Sequence, residues 1–379
     1  MIPLCVPNLA GNERRYLDEC IDTTFVSTVG PFVSRFETMV AEAAVAPAAV
    51  ATSAGTTGLH LALLAAGVRP GDLVVLPSFT FIASANAIAH CGAGPWLFDV
   101  DPTSWTLDPA QVETALSQEC RSSGGELVHG PSGRRVAAIL AVYTLGTAPD
   151  MDRLAAIAAR FNLPLVGDAA AALGCRYRGR PVGDHGTLLS VFSFNGNKTV
   201  TAGGGGAVIG DADRLALVRH LSSTARVGSD YTHDRVGFNY RMTNLQAAVG
   251  CAQMELLDRF VAAKRAIRER YRTAFADLPG LSPFPEPDWS ESACWFSGLV
   301  LPEGGLSPDA LRQRLSAAGI EARPFWKPMH LQPPFADAPR TDQSVTDRVW
   351  HRIVTLPCST QLTAADQDHV IAVVREALS

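Results

Sequence analysis

A mainly parallel α/β sheet covered by helices on both faces, followed by a smaller C-terminal unit, is the fold this sequence predicts. Three observations carry the expectation. Short apolar runs alternate with helical segments, and the runs are apolar throughout rather than at every second residue, as in strands buried on both faces. The chain has 379 residues, more than a single hydrophobic core ordinarily serves. A proline cluster, LPGLSPFPEPDW, interrupts the pattern beyond a long helical stretch.

Taken in order, Glu13 to Thr23 and Val29 to Ala44 read as helices, the second with Gly30-Pro31 near its start. AVATSAGTTGLHLALLAAGV then gives a small-residue turn feeding an apolar helix. LVVLP, SFTFIASANAIAHCG and PWLFDVD continue the alternation, with a helix from Pro109 to about Gln118. The insert SSGGELVHGPSGRR is polar and glycine-rich and reads as a surface excursion. AAILAVY (strand), DMDRLAAIAARFN (helix) and LPLVGDA (strand) resume the pattern. After VFSFNGNKTVTAGGGG come a strand, AVI, and a helix from Ala212 to Ser222. Apolar residues at helical spacing from Gln246 to Phe275, with Thr243 as cap, predict one long helix over about 243–277 linking two domains, 1–250 and 251–379. The second should hold strands near Phe296 to Leu301, a helix from Ser307 to Ala318 and a closing helix from Ala364.

Three places could carry chemistry. Lys198 follows an Asn195-Gly196-Asn197 turn and precedes four glycines. It is either an ordinary solvated lysine or an amine held in a crowded site to form a Schiff base. Gly55-Thr56 opens a helix, where backbone N–H groups and the helix dipole favour a phosphate, although plain capping by Thr56 or Thr57 would look the same. Asp168 ends an apolar strand and precedes four alanines and Leu173-Gly174. A carboxylate there either caps a helix or meets a cation such as a protonated ring nitrogen, because a buried charge without a partner is costly.

Composition narrows the classes. The net charge is −5, with no lysine-rich run, which argues against nucleic acid as a partner. The eight cysteines are scattered, without CxxC pairs or the His spacing of a zinc site, and read as reduced thiols; no metal is expected. No apolar stretch is long enough to span a bilayer, and MIPLCVPNLAGNERR lacks the apolar run of a signal peptide, so a soluble cytoplasmic protein is expected.

The order of these motifs resembles the DegT/DnrJ/StrS family of pyridoxal phosphate-dependent sugar aminotransferases, across nearly the whole chain. Its marks are Gly55-Thr56, TFIAS at 80–84, GDAAAALG at 167–174, FSFNGNK with its glycine run, and GFNYRMTNLQAAVG at 237–250. NERRYLDECIDTTFVSTVGPFVSRFE, FSFNGNK and RPFWKPMH look most like the LegC-type branch, which acts on UDP-linked 4-keto-6-deoxy-N-acetylhexosamines. The resemblance implies fold-type I (aspartate aminotransferase-like), with a seven-stranded-type sheet and a smaller α+β domain. It implies that Lys198 carries pyridoxal 5′-phosphate as a Schiff base, passing through the pyridoxamine form, and that Asp168 binds the ring nitrogen. Phe81 would stack on the ring, Gly55, Thr56 and Ser193 would bind the phosphate, and Asn239 would reach the phosphate of a neighbouring subunit in an obligatory homodimer. Arg323, Trp326, Lys327 and His330 are substrate-side candidates, with a proline-stiffened domain contact as the other reading of that segment. The expected reaction aminates a UDP- or dTDP-linked 4-keto-6-deoxy sugar, with L-glutamate as donor.

Some positions depart from the family pattern. Ala171 stands where relatives carry Glu, Gln or His, Gly167 where they often have Glu, Tyr143 for a frequent His, and Gly204 for a frequent Glu. A 3-keto sugar or cyclitol is the alternative substrate. The family's 3-dehydratases place His where this chain has Lys198, which argues against that activity. A non-catalytic regulatory protein of the same fold is the reading from another class, and the joint presence of Lys198 and Asp168 argues against it.

Overall fold

The computed structural model describes residues 1–183 and 185–378. Among them the main sheet has seven strands: β1 (Ala49–Thr52), β2 (Leu73–Pro77), β3 (Gly94–Phe98), β4 (Val136–Val142), β5 (Leu165–Asp168), β6 (Leu189–Ser193) and β7 (Gly206–Gly210). Their order in space is β1-β7-β6-β5-β4-β2-β3. Strand β7 runs antiparallel to β1 and β6, and the pairs β6–β5, β5–β4, β4–β2 and β2–β3 are parallel. The connection from Ser193 to Gly206 consists of turns and holds no crossover helix, so the chain returns antiparallel to β6.

Helices cover both faces. They are α1 (Glu13–Asp22), α2 (Pro31–Ala43), α3 (Gly55–Ala65), α4 (Ile82–His90), α5 (Pro109–Glu119), α6 (Met151–Arg160) and α7 (Ala212–Ser222), then α8 (Asn244–Met254) and α9 (Leu257–Ala274). Within the wholly apolar β2, Leu73 and Val75 join a core with residues of α2, α6 and α8, while Val74 and Leu76 join another with α3, α4 and α7. Burial on both faces explains why this strand shows no polar alternation.

The long helix expected over 243–277 is two helices. Thr243 caps α8, accepting from the Gln246 N–H, but the chain turns at Glu255 and Leu256 before α9 starts. No glycine or proline marks the break. It is tertiary: the Glu255 carboxylate is held by Asn12, just before α1, by Tyr16 of α1 and by Arg35 of α2, at 2.7, 2.5 and 2.7 Å. The glycine-rich insert is an ordered surface hairpin, Cys120–Ser123 against Glu126–His129, whose turn residues Gly124 and Gly125 both have positive φ.

A third core gathers around an antiparallel sheet of Ser282–Pro283, Ser297–Val300 and Ile353–Leu356, with α9, α10 (Pro308–Ala317) and a helix at Ala364–Leu378. The start of the chain joins it. Ile2 pairs with Ile320, Leu4 is buried in the cluster, and the Leu4 carbonyl accepts from Cys358 N–H at 2.7 Å.

Candidate active site

The carboxyl ends of β4, β5 and β6 meet the α3 turn and the 323–326 segment around a cavity of about 460 Å³. Open parallel sheets place ligands at these ends. Asp168 lies opposite Val142 and Val191 in the register, so the strands set its position. It is 6% exposed, and its carboxylate accepts from Ser84 Oγ at 2.6 Å and from the Ala170 N–H at 3.2 Å. Burial holds its pKa above the ordinary carboxylate value, although the Ser84 bond, the Ala170 bond and the nearby Lys198 charge all pull downward. No helix begins at Asp168, so it is not a cap.

Lys198 is the last residue of a turn closed by its own N–H to the Asn195 carbonyl at 3.0 Å. Its Nζ lies 3.6 Å from the centroid of the Trp295 ring. The Trp295 indole N–H donates to the Asn197 carbonyl at 2.7 Å, fixing the ring against the lysine's own turn. Burial lowers the Lys198 amine to about 8, outweighing the opposing influence of Asp168 and Cys5. A lysine at that value is a competent nucleophile near neutrality.

Gly55 is the first residue of α3, and a Cβ there would sit 2.9 Å from Ser193 Cβ. The bare backbone therefore lies directly against Ser193, and the first-turn N–H groups of Gly55 and Thr56 have no intrahelical acceptors. Gly206 is required for a similar reason, since its Cβ would come within 2.6 Å of the Ala54 carbonyl oxygen. Phe81 is 53% exposed and lines the cavity with Trp326, whose ring centroid is 5.9 Å away. A lysine, a buried carboxylate, an exposed ring and a helix N-terminus on one cavity fit a phosphorylated pyridine aldehyde: each of its polar ends meets a group of matching charge.

Of the residues singled out in the sequence, Lys198, Asp168, Gly55, Thr56, Phe81 and Ser193 line this cavity, as do Arg323 and Trp326. Arg323 pairs with Glu321 at 2.5 Å. Lys327 is exposed outside it. His330 is turned elsewhere: its Nδ1 meets Ser78 Oγ at 2.7 Å and its Nε2 meets Asp347 at 2.9 Å. Asn239 is exposed and lies outside the cavity of its own chain, although the next residue, Tyr240, accepts from Ser53 N–H at 2.7 Å. Sequence reasoning missed the roles of Ser84 and Trp295. Ser84 stood within the TFIAS mark without a role, and Trp295 had no signal because its contact with Lys198 spans about a hundred residues.

The family model of the DegT/DnrJ/EryC1/StrS aminotransferases matches residues 7–375. The chain belongs to this family. It is similar to a GDP-perosamine synthase of Caulobacter vibrioides, 38% identical over 381 positions covering 100% of this chain and 98% of that protein. A GDP-perosamine synthase of Vibrio cholerae is 36% identical, covering 94% of each. Among solved structures, DesI, determined in the presence of its TDP-sugar product, superposes with a TM-score of 0.87 at 30% identity, covering 99% of this chain and 92% of that one. The enzyme is thus a sugar aminotransferase, and its fold is that of the family's solved members. No helix among the described residues is long and apolar enough to cross a membrane.

Proposed function

We propose that the enzyme transfers an amino group from L-glutamate to the keto carbon of a 4-keto-6-deoxy sugar linked to a nucleoside diphosphate, with GDP as the nucleotide. The observation that carries this reading is the shared cavity of Lys198 and Asp168. Pyridoxal 5′-phosphate is the cofactor, and when bound it supplies an electron sink for the carbanion formed at the reacting carbon. The chain's residues do the rest. Asp168, oriented by Ser84, holds the positive charge on the ring nitrogen; burial, which makes its own charge costly, makes a cationic partner the more favourable. Gly55, Thr56 and Ser193 bind the phosphate, and Phe81 covers the ring. The Lys198 amine, steadied over Trp295, takes and returns the proton at the reacting carbon. Arg323 and Trp326 face the sugar nucleotide. Asn239 completes the phosphate site of a neighbouring subunit.

The names of the relatives favour GDP, and the likeness to DesI with its TDP-sugar favours dTDP as the second reading. A panel assay separates them: purified holoenzyme, L-glutamate, and GDP-, dTDP- and UDP-linked 4-keto-6-deoxy sugars, with the amino sugar read by mass spectrometry and 2-oxoglutarate by coupled absorbance. The GDP sugar is expected to lead in kcat/KM by about tenfold, equivalent to about 1.4 kcal/mol of differential transition-state binding. Preference for another nucleotide overturns the GDP assignment, and turnover of only 3-keto sugars or cyclitols overturns the reaction.

A further inference from the structure

Beside the Lys198 turn lies a cluster that the chemistry above does not use. Lys264 of α9 is 1% exposed. Its ammonium donates to the Trp295 carbonyl at 2.9 Å, to Cys5 Sγ at 3.3 Å and to Cys358 Sγ at 3.6 Å. Those three contacts use its three protons, and the two sulfurs are the partners among them that can carry negative charge. A buried ammonium is costly without such a partner. The backbone brings the cysteines together: Cys358 N–H donates to the Leu4 carbonyl at 2.7 Å, and Val6 N–H donates to Ser359 Oγ at 3.0 Å. Both sulfurs therefore face the same ammonium, one from each end of the chain. Cys5 is partly exposed, whereas Cys358 is buried.

The Lys264 ammonium, in contact with both sulfurs, favours loss of one proton from the pair. The neighbouring Cys5 side chain, then the Lys264 charge, bring Cys358 down to about 6, and Cys358 in turn, with burial, pushes Cys5 up. Burial would lower Lys264, but the charges of Cys358 and Cys5 outweigh it and hold the ammonium protonated. The cluster touches the reaction centre at one atom. Cys5 Sγ lies 3.4 Å from the Asn197 carbonyl oxygen, which also accepts from Trp295, whose ring seats Lys198.

We propose that Cys5 and Cys358, with Lys264 as counter-ion, are a peroxide-responsive thiol pair that controls the seating of Lys198, permitting aminotransfer when reduced and suppressing it as a disulfide. The oxidant is hydrogen peroxide. The Cys358 thiolate, beside Lys264, attacks the O–O bond of a peroxide that enters past the partly exposed Cys5 and becomes a sulfenic acid, releasing hydroxide. The Cys5 sulfur then attacks the Cys358 sulfur, the S–OH bond breaks, and water leaves with the Cys5 thiol's proton. In sum, one thiol, one thiolate and one peroxide give one disulfide, one water and one hydroxide. The disulfide removes the negative charge facing Lys264 and the Cys5 contact with Asn197, so both the charge and the position of the Lys198 turn change. The simpler reading is an inert hydrogen-bonded cluster, as buried structural cysteines usually are.

Thiol mapping decides between them without any sugar substrate, and so independently of the substrate assignment. The holoenzyme is treated with dilute hydrogen peroxide, alkylated and digested without reduction. Cys120 is the internal control, being partly exposed but pushed up to about 11 by burial and Glu119. The expected product is a Cys5–Cys358 linked peptide formed about tenfold faster than Cys120 is oxidised, in line with the larger thiolate fraction of the pair. The glutamate half-reaction should slow by about tenfold in step with the disulfide and recover with dithiothreitol. In Cys5→Ser, the same treatment should leave the variant's own rate unchanged. Earlier loss of Cys120, oxidation of Cys5 with Cys358 untouched, a disulfide without loss of rate, or equal loss in Cys5→Ser would each overturn the proposal. The mapping uses the native chain, so it stands even if the variant does not fold.

Discussion

Burial sets Lys198 and Asp168 to opposite ends of their usual ranges, and the sign of each shift can be read in solution. In the role proposed for it the lysine needs its neutral form to capture pyridoxal phosphate, and burial lowers its folded-state value to about 8. The neutral fraction of the apoenzyme should therefore rise through pH 8, whereas a solvated lysine follows a midpoint of about 10.4. Borohydride-stable incorporation of the cofactor at Lys198, followed by peptide mapping between pH 6.5 and 9.5, should show an initial rate with a midpoint near 8. A rate still climbing steeply at pH 9.5 would place the amine in solvent. For stability the sign is reversed: burial disfavours the cation, so this lysine costs folding free energy at neutral pH, and the cost fades as pH rises towards its unfolded value. Both residues were legible in the sequence because each stands at a strand end or turn beside small residues. Their supports were not. Ser84 and Trp295 reach them across the fold, and neither leaves a local pattern.

Single elements show where local rules suffice and where packing overrides them. The strands and their flanking helices follow from apolar runs and caps, and Thr243 begins α8 as its capping chemistry requires. The break at Glu255 and Leu256 had no local signal, because it comes from the grip of α1 and α2 on one carboxylate. The α3 turn is the opposite case, a short motif whose need for glycine is visible in space. Gly55→Ala places a Cβ 2.9 Å from Ser193 Cβ, so the turn must move away from the proposed phosphate seat. Cofactor affinity should fall by about tenfold, or about 1.4 kcal/mol. Thermal unfolding of the apoenzyme should shift much less, since alanine is the better helix former. Fluorescence titration with pyridoxal phosphate measures the first, and unchanged affinity would move the phosphate elsewhere.

At the scale of the molecule, Asn239 lies outside the cavity of its own chain while Tyr240 touches the α3 turn, an arrangement that suits a site shared between copies. On the shared-site proposal, mixing inactive Lys198→Ala with inactive Asn239→Ala should regenerate activity, because a hybrid dimer collects both lesions in one site and leaves the other whole. Native mass spectrometry verifies the exchange; verified hybrids without activity would return Asn239 to its own subunit. The clasp between residues 2–6 and residues 319–359 bears on assembly in time. Leu4 N–H meets the Glu321 carboxylate across 317 positions of sequence, and Val6 N–H meets Ser359 across 353. Closing so wide a loop costs only about 0.6 kcal/mol more for each doubling of its length, but it cannot begin until the later partner exists. During synthesis at about 5–20 residues per second, the segment around Cys5 is made early and waits about 20–70 seconds for residue 358. In a newly made chain the wall of the cavity built from residues 4, 295 and 323–326 therefore cannot close until well after the sheet and α3 have been synthesised.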